Sequence, residues 1–381
     1  MTTSTRADLT RLLRADLRGE SAYGAPQLAV PAALNTNENS YPVPADVVAE
    51  MAAEVARILP GLNRYPDREF TALRAALAGY LSRSGTPISA DQVWAGNGSN
   101  EVLLHLFQAF GGAGRTAIGF TPSYSMHAII AGTSQTTWLP GRRHTEPGRL
   151  FELDAESVAA QVESVNPALV FLCSPNNPTG TAIGLDVVEA AYAAAPDAVI
   201  VVDEAYAEFA RPGTASALTL LAGRERLVVT RTMSKAFALA GGRLGYLAAD
   251  PELTALLRLV RLPYHLSTPV QAIAVAALRH TDTMLGTVGA ITAQRDRIAI
   301  ELAALGYPPV PSDANFVLFG GLADAGATWA ALLDRGVLVR DVGIPHYLRV
   351  TAGTPAETTA FLDAMASLGD EHRLTRRSDQ S

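Results

Sequence analysis

The stretch Leu227-Val228-Val229-Thr230-Arg231-Thr232-Met233-Ser234-Lys235 opens as an apolar run of strand length and ends on a lysine preceded by hydroxyls. Lys235 is the single lysine among the 30 Lys and Arg residues of a 381-residue chain. A generic surface cation can be either residue. A guanidinium, however, stays protonated and cannot condense with an aldehyde, whereas a lysine amine can lose its proton and do so. Lys235 is therefore a candidate covalent amine, although chance survival on a surface loop gives the same count. Its surroundings have to decide.

Working outward, the same grammar of apolar run, polar turn and helix recurs. Strand-length runs are expected at 93–95, 115–120, 134–139, 168–173, 198–203, 226–231 and 243–248. Helical patterns lie between them, near 99–111, 124–131, 154–164 and 185–195. Alternation of this kind predicts an α/β fold with a mostly parallel central sheet covered by helices. Ligands of such sheets bind outside the carboxyl ends of the strands. After residue 250 the pattern turns to helices at 251–260, 269–280 and 285–305. Strands at 314–319, 337–341 and 347–351 follow, with helices at 326–335 and 355–367, a smaller α+β unit. Upstream, residues 1–34 read as a short amphipathic helix and a Pro/Gly-punctuated arm. Helices are expected at about 44–58 and up to 82. The predicted division is an arm, 1–44, joining the small domain; a large domain, 45–267; a small domain, 268–368; and a disordered tail, 369–381.

The net charge of −7, with arginines scattered rather than in a stripe, excludes a nucleic-acid partner. The one cysteine, Cys173, excludes an internal disulfide and a cysteine-based metal site, and reads as a small buried hydrophobe. No metal is expected. The N-terminus lacks an apolar leader core and no run approaches membrane length, so a cytoplasmic protein is expected.

The strand ends carry the polar motifs. Gly96-Asn97-Gly98-Ser99-Asn100 joins a strand to a helix, where free N–H groups suit a phosphate. It also reads as a plain capped turn, and no Gly-Lys-Ser/Thr follows it. Tyr124 stands just past the next strand. Ser174-Pro175-Asn176-Asn177-Pro178-Thr179-Gly180 is a rigid polar turn that can aim an amide. Val199-Ile200-Val201-Val202-Asp203-Glu204-Ala205-Tyr206 ends an apolar strand on a carboxylate, which needs a positive partner: an arginine, or a cationic ring nitrogen. Gly241-Gly242-Arg243 adds an arginine eight residues past the lysine. One ligand answers all of these features, with an aldehyde for Lys235, a protonated ring nitrogen for Asp203, a flat ring for Tyr124 and a phosphate for Ser99, Asn100, Ser234 and Arg243. That ligand is pyridoxal 5'-phosphate.

The order of SPNNPTG, VDEAY, TMSKAF and GGRLGY resembles the fold-type-I pyridoxal-phosphate aminotransferases. More closely, the chain resembles the histidinol-phosphate aminotransferase family of the actinobacterial kind, from about Asp16 to Leu368, through LNTNEN, NRYPD, GNGSNE, SYSMH, RLPYHLS, VRDVG and LRVTAG. Ser40 stands where that family usually has proline. The resemblance implies that Lys235 holds the cofactor and shuttles a proton, and that Asp203 pairs with the ring nitrogen. It implies that Asn177 and Tyr206 bond the phenolic oxygen and that Tyr124 stacks on the ring. Ser99, Asn100, Thr232, Ser234 and Arg243 would surround the phosphate, joined by Tyr65 from a partner subunit, which makes the enzyme an obligate homodimer. Arg349 would take the substrate anion, with Arg340, Tyr23, Asn37 and Tyr264 lining the pocket. Arg340 also reads as a surface ion pair with Asp341 or Asp334. The implied reaction converts L-histidinol phosphate and 2-oxoglutarate to imidazole acetol phosphate and L-glutamate. A phenylalanine aminotransferase is the near alternative. A pyridoxal-phosphate lyase and a non-catalytic regulator on the same fold are more distant ones.

Overall fold

The structure is a computed structural model that describes residues 9–19, 22 and 24–374. Eleven strands occur in the described chain: β1 (Ala32–Ala33), β2 (Val93–Gly96), β3 (Thr116–Thr121), β4 (Thr137–Arg142), β5 (Leu169–Cys173), β6 (Val199–Asp203), β7 (Leu227–Thr232), β8 (Gly245–Ala249), β9 (Phe316–Phe319), β10 (Val337–Leu338) and β11 (Leu348–Thr351). The large sheet has the order β2-β8-β7-β6-β5-β3-β4. Only β8 runs against its neighbours; β3 to β7 are mutually parallel. Strands β5, β6 and β7 are buried along their whole length, which is why they read as unbroken apolar runs rather than alternating ones.

Strand β4 begins and ends three residues later than 134–139. Gln135 turns the chain with φ of 60°, and Pro140 sits inside the strand, which its place at the sheet edge allows because an edge strand can spare a donor. Near the N-terminus the described residues form two 3-10 turns, Leu9–Leu12 and Ala15–Leu17, in place of the amphipathic helix. Neither turn buries a residue, so no apolar stripe gains a partner there.

Two apolar cores result. The larger surrounds the seven-stranded sheet and includes Trp94, Phe107, Phe120 and Phe171. Each fully buried aromatic of this kind contributes about 1.5–3 kcal/mol. The smaller core gathers Tyr307, Phe316, Phe319 and Phe361, and takes Ala32 and Leu34 from the arm. The arm is tied to it by β1, which pairs in parallel with β10. The expected division at 267/268 falls at the start of the helix Thr268–Arg279, whose Ala274, Ala276 and Ala277 pack into the larger core. The tail expected from 369 is ordered as far as 374. His372 O accepts from Ala323 N at 3.0 Å, Leu374 N donates to Gly321 O at 2.8 Å, and His372 Nδ1 meets Thr328 Oγ1 at 3.1 Å. The rest of that tail lies outside the described residues. No helix among the described residues is long and apolar enough to cross a membrane.

Tyr206 and Ala236, which flank the candidate site, pack into the smaller core although they leave strands of the large sheet. The site lies at this seam.

Candidate active site

A cavity of about 580 Å³ opens at the carboxyl ends of β3, β5, β6 and β7. It brings together Lys235, Asp203, Tyr206, Ser99, Asn100, Tyr124, Asn177, Thr232, Ser234, Arg243, Asn37, Arg340 and Arg349. Most of them come from the loops that follow the parallel strands, which align those loops at one end, while Asn37 comes from the arm, Arg349 from β11 and Arg340 from the chain just past β10.

Lys235 lies three residues past Thr232 in the turn that leaves β7, and its Nζ donates to the Thr36 carbonyl at 2.9 Å. Burial, then the neighbouring Arg349, pushes its pKa down to about 8; Arg243 adds to this and Glu38 opposes it. A much larger share of the amine is therefore unprotonated near neutral pH than for an ordinary lysine.

Asp203 ends β6 at 2% exposure. Its Oδ1 accepts from Thr230 Oγ1 and its Oδ2 from His127 Nε2, each at 3.1 Å. Its arginine-paired neighbour is Glu204, which meets Arg231 at 2.7 Å. Adjacent strand-end residues point to opposite faces, so one carboxylate serves the core and the other the cavity. His127 was not singled out in the sequence. It lies 76 residues from Asp203, and its only signal is a histidine one turn after Tyr124.

At one end of the cavity, the helix Ser99–Phe110 begins after Gly98, whose φ is 83°. A Cβ on Gly98 would fall 2.4 Å from Arg243 Nη2, and one on Gly245 would fall 2.1 Å from Ser99 N. Both glycines are thus required for a close approach of backbone and guanidinium. Thr232 Oγ1 donates to Ser234 Oγ at 3.0 Å and accepts from Ser234 N at 3.1 Å. Three hydroxyls, one guanidinium and a helix N-terminus form a donor set suited to a phosphate monoester. Tyr124 OH donates to Asn100 Oδ1 at 3.1 Å, fixing the ring between that end and Asp203.

At the other end, Tyr206 OH accepts from Asn37 Nδ2 at 3.0 Å, and burial pushes its pKa up to about 12. Asn37, with φ of 55°, is itself held through its N–H, Oδ1 and carbonyl by Thr351 and Asn315. Arg349, on β11, donates to Asn177 Oδ1 and, at 2.7 Å, to the Asn35 carbonyl. Its guanidinium lies 5.1 Å from the Phe316 ring centre. Arg340 lines the cavity, and its backbone exchanges two 2.9 Å hydrogen bonds with Arg349. Cys173 is buried as expected but also lines the cavity, and burial beside Asp203 pushes its thiol up to about 12.

Two predicted residues, Tyr65 and Tyr264, do not line the cavity. Tyr65 is 80% exposed and stacks on Tyr264, with ring centres 4.5 Å apart and planes at 12°. Tyr23 lies outside the described residues.

The residues present fit pyridoxal phosphate, on the donor set and the glycine cradle just described. The chain belongs to the class I and II aminotransferases, whose family model matches residues 31–365. Within that class its relatives are histidinol-phosphate aminotransferases. It is 59% identical to the one from Paenarthrobacter aurescens (strain TC1), across 94% of this chain and 95% of that one, and 57% identical to the one from Frankia casuarinae, across 93% and 89%. In fold it is similar to histidinol-phosphate aminotransferase from Sinorhizobium meliloti, solved in complex with pyridoxal-5'-phosphate (TM-score 0.77, 24% identity, covering 89% of this chain and 92% of that one). It is similarly close to an aspartate aminotransferase double mutant from Thermus thermophilus (TM-score 0.77, 25% identity, 88% and 91%).

Proposed function

We propose that the protein transfers an amino group between L-histidinol phosphate and 2-oxoglutarate, giving imidazole acetol phosphate and L-glutamate. One observation carries the reading: a single cavity joins the only lysine to two wall arginines and to a carboxylate aimed inward. The high identity to enzymes of that name supports the choice of substrate.

Pyridoxal phosphate, when bound, supplies an electron sink for the negative charge that develops at the amine-bearing carbon. Lys235 would hold the cofactor through its aldehyde, and its Nζ would carry the proton that leaves the amine-bearing carbon; the depressed pKa suits that exchange. Asp203, held by Thr230 and His127, keeps a proton on the ring nitrogen. Asn177 and Tyr206 orient the phenolic oxygen, and Tyr124 the ring face. Ser99, Asn100, Thr232, Ser234 and Arg243 bind the phosphate. Arg349 and Arg340 bind the substrate anion. A fork suits both a carboxylate and a phosphate ester, so the same wall serves both half-reactions. Asn37 lines the substrate side.

The enzyme works as a homodimer. Tyr65 and Tyr264 stand in an exposed apolar belt with Leu59, Leu62, Leu259 and Leu262, a surface that a second copy would cover. Tyr65 would then reach the partner's phosphate site. The reaction belongs in the cytoplasm. Comparing kcat/KM for histidinol phosphate and phenylalanine tests the reading, and a clear preference for phenylalanine would replace it with the aromatic alternative.

A further inference from the structure

We propose that His265 is a positioning residue that locks the cofactor-phosphate loop to the segment presenting Tyr264; this rests on the cofactor site proposed above. His265 Nε2 stands 2.9 Å from the Ala95 carbonyl. A carbonyl only accepts, so that nitrogen carries the proton and donates. The backbone carbonyl of His265 in turn accepts from Asn97 Nδ2 at 2.8 Å. One residue therefore grips the chain on both sides of Gly96, just before Gly98 and Ser99. Asn97 passes the restraint on. Its N–H and Nδ2 donate to Glu101 Oε2 at 2.6 and 2.9 Å, within the first turn of the helix whose N-terminus faces the cavity.

The imidazole is itself fixed. It stacks on Trp94, with ring centres 5.9 Å apart and planes at 13°, and meets Phe70 and His105 edge-on at 5.6 and 5.5 Å. His265 Nδ1 is buried and makes no hydrogen bond, which agrees with the proton on Nε2. His105 is held in turn, since Trp94 Nε1 donates to its Nδ1 at 3.1 Å. On the other side of His265, Tyr264 adopts a left-handed φ of 62° and carries its ring onto Tyr65. The phosphate loop and the tyrosine pair are thus parts of one clamped unit. A histidine serving only to fill space would not need the Nε2 hydrogen bond; the one to its backbone carbonyl is available whatever the side chain.

The test compares His265→Phe and His265→Gln, each purified without cofactor and titrated with pyridoxal phosphate, with apo-form thermal unfolding measured alongside. Phenylalanine keeps the stacking but leaves the Ala95 carbonyl without its donor, so cofactor affinity should fall about tenfold. Glutamine restores an N–H donor and should recover most of that loss. Wild-type affinity in the Phe variant would overturn the proposal. So would equal losses in both variants tracking a common fall in Tm, since that marks a purely structural role. If the Phe variant does not fold, Asn97→Ala reads the same grip from its other end: weaker cofactor binding supports it and unchanged binding overturns it. The wild-type chain is titrated first; if it binds no pyridoxal phosphate, the cofactor reading itself fails, and the inference with it.

Discussion

Lys235 allows a chemical test that few proteins offer, because no second lysine competes with it. Borohydride reduction of the holoenzyme should fix the cofactor on one tryptic peptide, and Lys235→Ala should abolish both that label and transamination. Label on any other peptide contradicts the assignment. The apo form gives a pH test. The neutral amine is the nucleophile, and its fraction grows as pH rises through its pKa. Acylation of Lys235 by an amine-selective reagent, read by peptide mapping to separate it from the α-amine, should rise with a midpoint near 8. A midpoint above 10, where an ordinary lysine titrates, would mean that burial and Arg349 do not act on it as described. Asp203→Asn should keep the cofactor bound yet slow proton transfer by several orders of magnitude. Near-normal turnover would remove Asp203 from that role.

At the scale of elements, the strands were legible because burial on both faces leaves little but apolar side chains in β5, β6 and β7. The turns that follow them were legible because Pro, Gly and Asn mark them. What the sequence could not express were contacts between distant elements. His127 reaches Asp203 across 76 residues, Lys235 reaches a backbone carbonyl 199 residues away, and Thr351 holds Asn37 across 314. None of these leaves a local pattern, and a carbonyl acceptor has no residue type at all. The amphipathic helix expected in the arm fails for a related reason: Leu9 and Leu12 are exposed on a 3-10 turn and find no distant surface to pack against. The glycines supply an element-scale prediction. Gly245→Ala sets a Cβ against the Ser99 amide, so it should cost about 1–3 kcal/mol in urea unfolding and weaken cofactor binding. Gly79→Ala, inside the helix Thr71–Ser82 with open space around it, should stabilise by about 0.5–1 kcal/mol. A neutral Gly245→Ala would contradict the close approach of β8 to the phosphate loop.

At the scale of the whole molecule, the cavity sits where two cores meet. The large sheet supplies the lysine, the aspartate and the phosphate donors, and the smaller unit supplies both arginines. The proposed dimer makes a separate prediction. Tyr65→Ala and Lys235→Ala should each be impaired alone. Mixing and reassociating them should restore activity, because one site of the mixed dimer combines Lys235 from one chain with Tyr65 from the other. No recovery would mean that Tyr65 serves its own chain or no site. The central claim is that this cavity takes histidinol phosphate as its amino donor. The most direct measurement is a single-turnover half-reaction: holoenzyme mixed with L-histidinol phosphate in the absence of 2-oxoglutarate, followed through the visible absorbance of the cofactor, with L-phenylalanine run in parallel. Rapid, saturable loss of that absorbance is expected with histidinol phosphate, recovered on adding 2-oxoglutarate, and a much slower response with phenylalanine. An inert band with histidinol phosphate, or faster conversion by phenylalanine, would contradict it.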